Sequence, residues 1–226
     1  VIFVNFKTYP SGTGSRAVEL ARICAEVSED VPVIPVVQVV DLFRAGQVIG
    51  GRGIWVQHVD GVSYGQNTGW TLPEAVKEAG AMGTFLNHSE HKIIGNTGRD
   101  GGKGMFGRTI IRCREAGLAT MVFAEDLEEL GLVLQLKPDW VAYEPPELVG
   151  SMTDSVANKP EIVKEAVVLA DKFGIPLVIG AGVKSAEDIR FALENGARAV
   201  AVARFILEAE DPRKELRKLL DGFVKQ

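Results

Sequence analysis

Three polar side chains stand at or just past the ends of short apolar runs, where a parallel strand would deliver them to one rim of a sheet. Lys7 follows VIFVN (1–5), His88 follows GTFLN (83–87), and Glu144 closes WVAYE (140–144). A lysine two residues beyond an inward strand end can hold an anionic or carbonyl group with its ammonium. The histidine precedes an expected helical turn capped by Ser89, whose positive end favours neutral imidazole, a hydrogen-bond donor to a carbonyl. A carboxylate ending an apolar strand costs free energy unless something uses it. Pro145 and Pro146 behind Glu144 fix the direction of that carboxylate. Each residue has a plainer alternative: a surface lysine, a structural histidine, a glutamate in an internal salt bridge.

Two glycine-containing turns could bind an anion through backbone amides: Gly150-Ser151 after the sixth apolar run, and Gly180-Ala181-Gly182 after the seventh. Glycine is also ordinary turn punctuation. A third patch, GNTGRDGGKGMFG (95–107), carries six glycines and reads as a flexible or anion-binding loop, or as a surface insertion far from chemistry. A net charge of -5 speaks against a general nucleic-acid surface. The two cysteines, Cys24 and Cys113, form no metal-ligand or disulfide spacing, so neither a metal nor a cofactor is expected. The first apolar run is too short for a signal-peptide core and no run approaches the ~18–20 residues of a membrane span, which favours a cytoplasmic protein away from membranes.

The elements that must position these groups alternate along the whole chain. Strand candidates are 1–5, 32–37, 54–58, 83–87, 119–123, 140–144, 176–180 and 199–203, each apolar on both faces as a doubly covered parallel strand must be. Between them the helical period recurs: 15–29 places Ala17, Leu20, Cys24 and Val27 on one face. The helix expected over 160–174 opens on Pro160 and ends on Gly174, that over 185–196 opens on Ser185 and ends on Gly196, and the last opens on Asp211-Pro212 and runs to about Val224. Eight strand–helix units of roughly 28 residues predict a single (β/α)8 barrel over 1–226, in the α/β class. A doubly wound sheet would carry a G-x-G-x-x-G turn after the first strand, and Phe6-Lys7 stands there instead.

Together these segments resemble the triosephosphate isomerase family. The residues that carry the resemblance are Asn5-x-Lys7, Gln57-His58-Val59-Asp60-Gly61, Thr68-Gly69, Leu72-Pro73-Glu74-Ala75, Asn87-His88-Ser89-Glu90, Tyr143-Glu144-Pro145-Pro146-Glu147-Leu148-Val149-Gly150 and Gly180-Ala181-Gly182. The compact length and the EPPELVG stretch look like the archaeal branch of this TIM-barrel family. The resemblance implies the family's established roles: Glu144 as general base, His88 as neutral electrophile, Lys7 stabilising the enediolate and Asn5 positioning the substrate. It further implies a phosphorylated sugar as substrate, a lid over 150–160, and Thr68 reaching a neighbouring subunit, hence a homodimer or homotetramer.

The chain departs from the family after the eighth strand. Val202-Ala203-Arg204-Phe205-Ile206 stands where relatives carry small residues whose amides approach phosphate. Arg204 could supply a direct phosphate contact, or either side chain could fill the pocket. The 95–107 segment is the second departure, and Trp70, where relatives often have histidine, a smaller one. The pattern leaves three readings: a divergent triosephosphate isomerase, a paralogue acting on another phosphorylated ketose, and a catalytically impaired barrel with a regulatory role. A barrel synthase would show different strand-end acids and stronger phosphate glycines after the eighth strand.

Overall fold

The computed structural model describes residues 1–50, 52–94, 103–145 and 160–223. Eight parallel strands close in sequence order: β1 (Ile2–Asn5), β2 (Val33–Val37), β3 (Trp55–Val56), β4 (Gly83–Leu86), β5 (Ala119–Ala124), β6 (Trp140–Tyr143), β7 (Leu177–Ile179) and β8 (Ala199–Val202), with β8 pairing back to β1. Each strand overlaps its expected segment; seven are shortened by one to three residues, and β5 runs one residue further, to Ala124. The helices between them are α1 (Ser15–Val27), α2 (Val39–Gly46), α3 (Pro73–Glu78), α4 (Lys103–Glu115), α5 (Leu127–Leu134), α6 (Pro160–Asp171), α7 (Ala186–Glu194), the single turn α8 (Arg204–Leu207) and α9 (Pro212–Leu220).

Strand alternation divides the core in two. Ile2, Val4, Leu86, Val141 and Tyr143 point outward into the layer shared with the helices, where Ala17, Leu20, Cys24 and Val27 of α1 also lie. Phe3, Trp55, Phe85, Phe123, Ala142, Val178 and Ala201 point inward. The inward side chains are uneven in size. Phe3 meets Trp55 edge-on at 5.1 Å between ring centres, and Phe85 meets Phe123 at 4.8 Å. The inner faces of β6, β7 and β8 carry Trp140, whose ring meets Phe3 edge-on at 5.9 Å, and the smaller Ala142, Val178, Ala199 and Ala201. Aromatic rings from β1, β3, β4, β5 and β6 thus fill much of the interior, each pair adding about 0.5–1.5 kcal/mol beyond its burial.

Helix ends follow the local signals. Ser185 and Asp188 form a reciprocal capping box on α7, and Asp211 accepts the Lys214 amide ahead of Pro212 on α9. Gly174 and Gly196 take positive φ of 68° and 98° just past α6 and α7. Two expectations are corrected. The first helix stops at Val27, because Ser28 leaves helical geometry and its Oγ accepts the Val33 amide at the start of β2. Residues 103–107 of the glycine-rich segment are helical, held down by Phe106 in the core; 95–102 lie outside the described residues. Both thiols are buried, and burial pushes both thiol pKa values up, as inert reduced cysteines require. Among the described residues no helix is long and apolar enough to cross a membrane and no group of three or more His, Cys, Asp or Glu could hold a metal.

Candidate active site

The same alternation that builds the inner core delivers two of the site residues. Phe3 points inward on β1, so Asn5 two residues later points into the mouth; Ala142 points inward on β6, so Glu144 does too. Lys7 and His88 arrive differently. Each is reached through a non-glycine residue with positive φ: Lys7 itself at 46° and Asn87 at 59°. Such a backbone costs on the order of 1–3 kcal/mol and persists only when its surroundings hold it. For Lys7 the Asn5 Oδ1 accepts its amide at 3.0 Å, and Gln57 Nε2 donates to its carbonyl at 2.9 Å. For His88 the strand parity would point outward, as Leu86 does; the turn at Asn87 brings the ring inward, edge-on to Phe123 at 4.9 Å.

These groups border a mouth of about 260 Å³ that also involves Tyr9, Glu90, Lys184, Arg204 and Phe205. His88 and Glu144 face one another across it, with Nε2 and Oε2 3.4 Å apart. That contact is not a hydrogen bond, and Glu144 Oε2 is buried without a partner among the described residues. Burial pushes the Glu144 carboxyl up to about 8, opposed by the Lys7 ammonium. Lys7 Nζ lies 2.8 Å from Glu90 Oε1 at the rim.

His88 accepts the Glu90 amide at Nδ1, 3.1 Å away, so the neutral ring carries its proton on Nε2, the atom facing Glu144. Burial, with Lys7 second, lowers its pKa to about 4. The ring is therefore a neutral donor, as the sequence suggested, for a different reason. Residues 88–91 make a single turn closed by the His91 amide on the His88 carbonyl, and Ser89 Oγ, instead of capping a helix, is buried without a hydrogen-bond partner among the described residues. Desolvation and a nearby ammonium replace the expected helix dipole.

The phosphate-side candidates separate. Gly150 and Ser151 lie outside the described residues, as does 150–159 of the expected lid. Gly180, Ala181 and Gly182 line the mouth. The Gly180 amide, however, is taken by the Tyr143 carbonyl at 3.0 Å. Its lack of a side chain serves another purpose: a Cβ there would meet Glu144 Cγ at 2.4 Å and Oε1 at 2.7 Å. Arg204 reaches the mouth from α8 and donates through Nε to the Tyr9 hydroxyl at 3.2 Å. Phe205 lines the mouth while packing against the outer core.

Sequence reasoning gave no role to Gln57, Asn87, Tyr9 or Lys184. Gln57 and Asn87 directly follow β3 and β4, so the polar strand-end signal that found Asn5 extends to them. Tyr9 and Lys184 sit in loops with no such signal.

A closed barrel with a buried carboxyl, a neutral imidazole and an ammonium at the C-terminal ends of its strands defines a (β/α)8-barrel protein equipped for proton transfer. The family model for triosephosphate isomerase matches residues 1–100 and 107–221. A triosephosphate isomerase of Methanosarcina acetivorans is 35% identical over 97% of this chain and 96% of its own. Those of Sulfurisphaera tokodaii, 35% identical over 100% and 96%, and Methanocaldococcus jannaschii, 31% over 97% and 98%, match as fully. In fold, the Bartonella henselae triosephosphate isomerase superposes with a TM-score of 0.71 at 23% identity, covering 98% of both chains. The chain belongs to the triosephosphate isomerase family.

Proposed function

We propose that the protein interconverts dihydroxyacetone phosphate and glyceraldehyde 3-phosphate. The observation that carries the reading is the buried Glu144 oxygen, without a hydrogen-bond partner among the described residues, 3.4 Å from the proton-bearing nitrogen of a neutral His88. Glu144 as carboxylate takes the proton from the carbon beside the substrate carbonyl. The C–H electron pair becomes the enediolate double bond, and the carbonyl π pair moves onto oxygen. His88 donates from Nε2 to that oxygen and Lys7 places its ammonium against the same charge. Glu144 then returns the proton to the neighbouring carbon, while the hydroxyl on the first carbon gives up its proton, by way of His88 Nε2, to the former carbonyl oxygen. The enediolate double bond thereby forms the new C–H bond, and the new carbonyl closes on the first carbon. Lys7 exchanges its contact with Glu90 for the substrate, and Asn5 keeps the Lys7 backbone in place.

The phosphate is read by the amides of Gly150, Ser151, Ala181 and Gly182 and by Arg204, with Gly180 contributing room for Glu144. No metal or cofactor enters this chemistry. The exposed Tyr64, Thr68 and Trp70, close together in one loop, support a homodimer or homotetramer in which this loop meets a neighbouring subunit. A cytoplasmic setting fits a small phosphorylated sugar as substrate.

The test is a coupled assay in both directions, with Glu144→Gln as control. Turnover that vanishes in the control is the expected result. Folded wild-type protein without turnover would overturn the assignment and direct attention to larger ketose phosphates, for which the Arg204–Tyr9 wall would be the specificity element.

The pH dependence follows from the site's electrostatics. Glu144 must be ionised to act, and its pKa is raised to about 8, so activity is lost as pH falls through that value. His88, lowered to about 4, stays neutral throughout this range. A kcat/KM profile should therefore show an acid limb near pH 8. A limb at the ordinary carboxylate range near 4–5 would contradict the burial of the base.

A further inference from the structure

The turn that aims His88 is held from a residue on another element. We propose that Glu129, on α5, is a positioning residue for His88, acting through Asn87 and Lys92 to keep the imidazole in its Nε2–H tautomer opposite Glu144. The inference deepens the isomerase reading and rests on it for the consequence in rate, though not for the tautomer itself.

Asn87 is buried at the end of β4, and its side chain is fully engaged. Its Oδ1 accepts the amides of Ile93 and Ile94 at 2.9 and 3.0 Å. Its Nδ2 donates to the Phe123 carbonyl on β5 at 3.0 Å and to Glu129 Oε1 at 2.9 Å. One side chain thus ties the start of the 87–94 segment to its end and both to the neighbouring strand. A primary amide offers two donor hydrogens and two acceptor lone pairs, and all are used.

Glu129 is engaged to the same degree. Oε1 also accepts from Lys92 Nζ at 2.7 Å, and Oε2 accepts from Lys92 Nζ at 2.6 Å and from the Glu125 amide at 2.9 Å. Its own amide donates to Asp126, which caps α5, so the carboxylate hangs from a fixed first turn. Hydrogen bonds to an ionised acceptor are the stronger kind, and this site is largely screened from water. Glu129 therefore grips the segment at two points, Asn87 before His88 and Lys92 after it.

What lies between those points sets the tautomer. The Glu90 amide donates to His88 Nδ1 at 3.1 Å, and the His91 amide closes the turn on the His88 carbonyl at 2.8 Å. Nδ1 remains an acceptor only while the Glu90 N–H points at it. Loosening Asn87 and Lys92 together lets that N–H move, and the preference for a proton on Nε2 goes with it. Lys92 makes a further ion pair with Glu125 at 3.3 Å, but that contact does not touch Asn87, so it cannot replace both grips.

The test reads the 15N imidazole signals of His88 at pH 7 alongside kcat, KM and Tm, in Glu129→Ala, Glu129→Met and Glu129→Gln. In the wild type Nε2 should appear protonated and Nδ1 as an acceptor. Alanine and methionine should move both nitrogens toward averaged values and lower kcat by about ten- to a hundredfold with KM within about twofold. Gln keeps an oxygen for Asn87 and should recover most of both readouts. Unchanged His88 signals in a folded alanine or methionine variant would overturn the proposal. So would collapse of both folds, which would make Glu129 a folding residue. Absence of isomerase activity in the wild type would remove the activity assignment while the 15N signals still decide the positioning role.

Discussion

Glu144→Asp lowers kcat by about a hundredfold or more, with Tm nearly unchanged. The carboxylate retreats by one methylene from the reacting carbon, and a misplacement on the order of 1 Å costs roughly this much in a proton transfer that depends on a held geometry. Stability should not follow activity. The Glu144 carboxyl is buried, one oxygen has no hydrogen-bond partner among the described residues, and burial holds its pKa near 8, so the folded state gains little from its charge. The measurement is steady-state kinetics in both directions with a thermal melt of the same preparation. Full activity in the aspartate variant would remove Glu144 from the role of base.

Gly180→Ala should have a comparable effect from the opposite side of the contact. The added Cβ would stand 2.4 Å from Glu144 Cγ and 2.7 Å from Oε1, closer than real Cβ atoms come. Glu144 must give way, since Gly180 is tied to Tyr143 through the sheet ladder. The base is displaced while Lys7, His88 and Asn5 remain, so kcat should fall by about a hundredfold with a smaller change in KM. Overpacking would add about 1–3 kcal/mol of destabilisation. A crystal structure of the variant should show the Glu144 side chain moved off its inward position. If instead KM alone rises, Gly180 serves phosphate binding as the sequence suggested, and the steric reading fails.

Both predictions rest on one feature of the mouth. The base, the electrophile and the cation come from β6, β4 and β1, yet each is held by a neighbour chosen for size or hydrogen bonding. Gly180 makes room for Glu144, the Glu90 amide fixes the His88 ring, and Asn5 with Gln57 clamps the Lys7 backbone. Phe123, itself packed on Phe85, is the ring against which His88 packs. Preorganisation here combines local supports, Asn5 for Lys7 and the Glu90 amide for His88, with supports from neighbouring strand ends, Gln57 for Lys7 and Gly180 for Glu144.

Much of this protein is legible in its sequence. Apolar β-branched runs at regular spacing determined eight parallel strands, because a strand covered on both faces has no polar side to show. Ser185 and Asp211-Pro212 marked helix starts, since a side-chain oxygen must meet amides that lack helical partners. Polar residues at strand ends marked Asn5, Lys7, His88 and Glu144, because those positions lead into the mouth. Local reasoning failed where the cause was distant. The neutral state of His88 was assigned to a helical turn capped by Ser89, whereas burial and Lys7, 81 positions away in the chain, produce it. Gly180 read only as a phosphate turn, and its close approach to Glu144 on the neighbouring strand had no local signal. The bond from Asn87 to Glu129 joins residues 42 apart. Sequence determines which side chains stand at the rim, because alternation and strand length are local. Only the closed barrel decides what each one touches, because those contacts exist only once strands distant in sequence lie side by side.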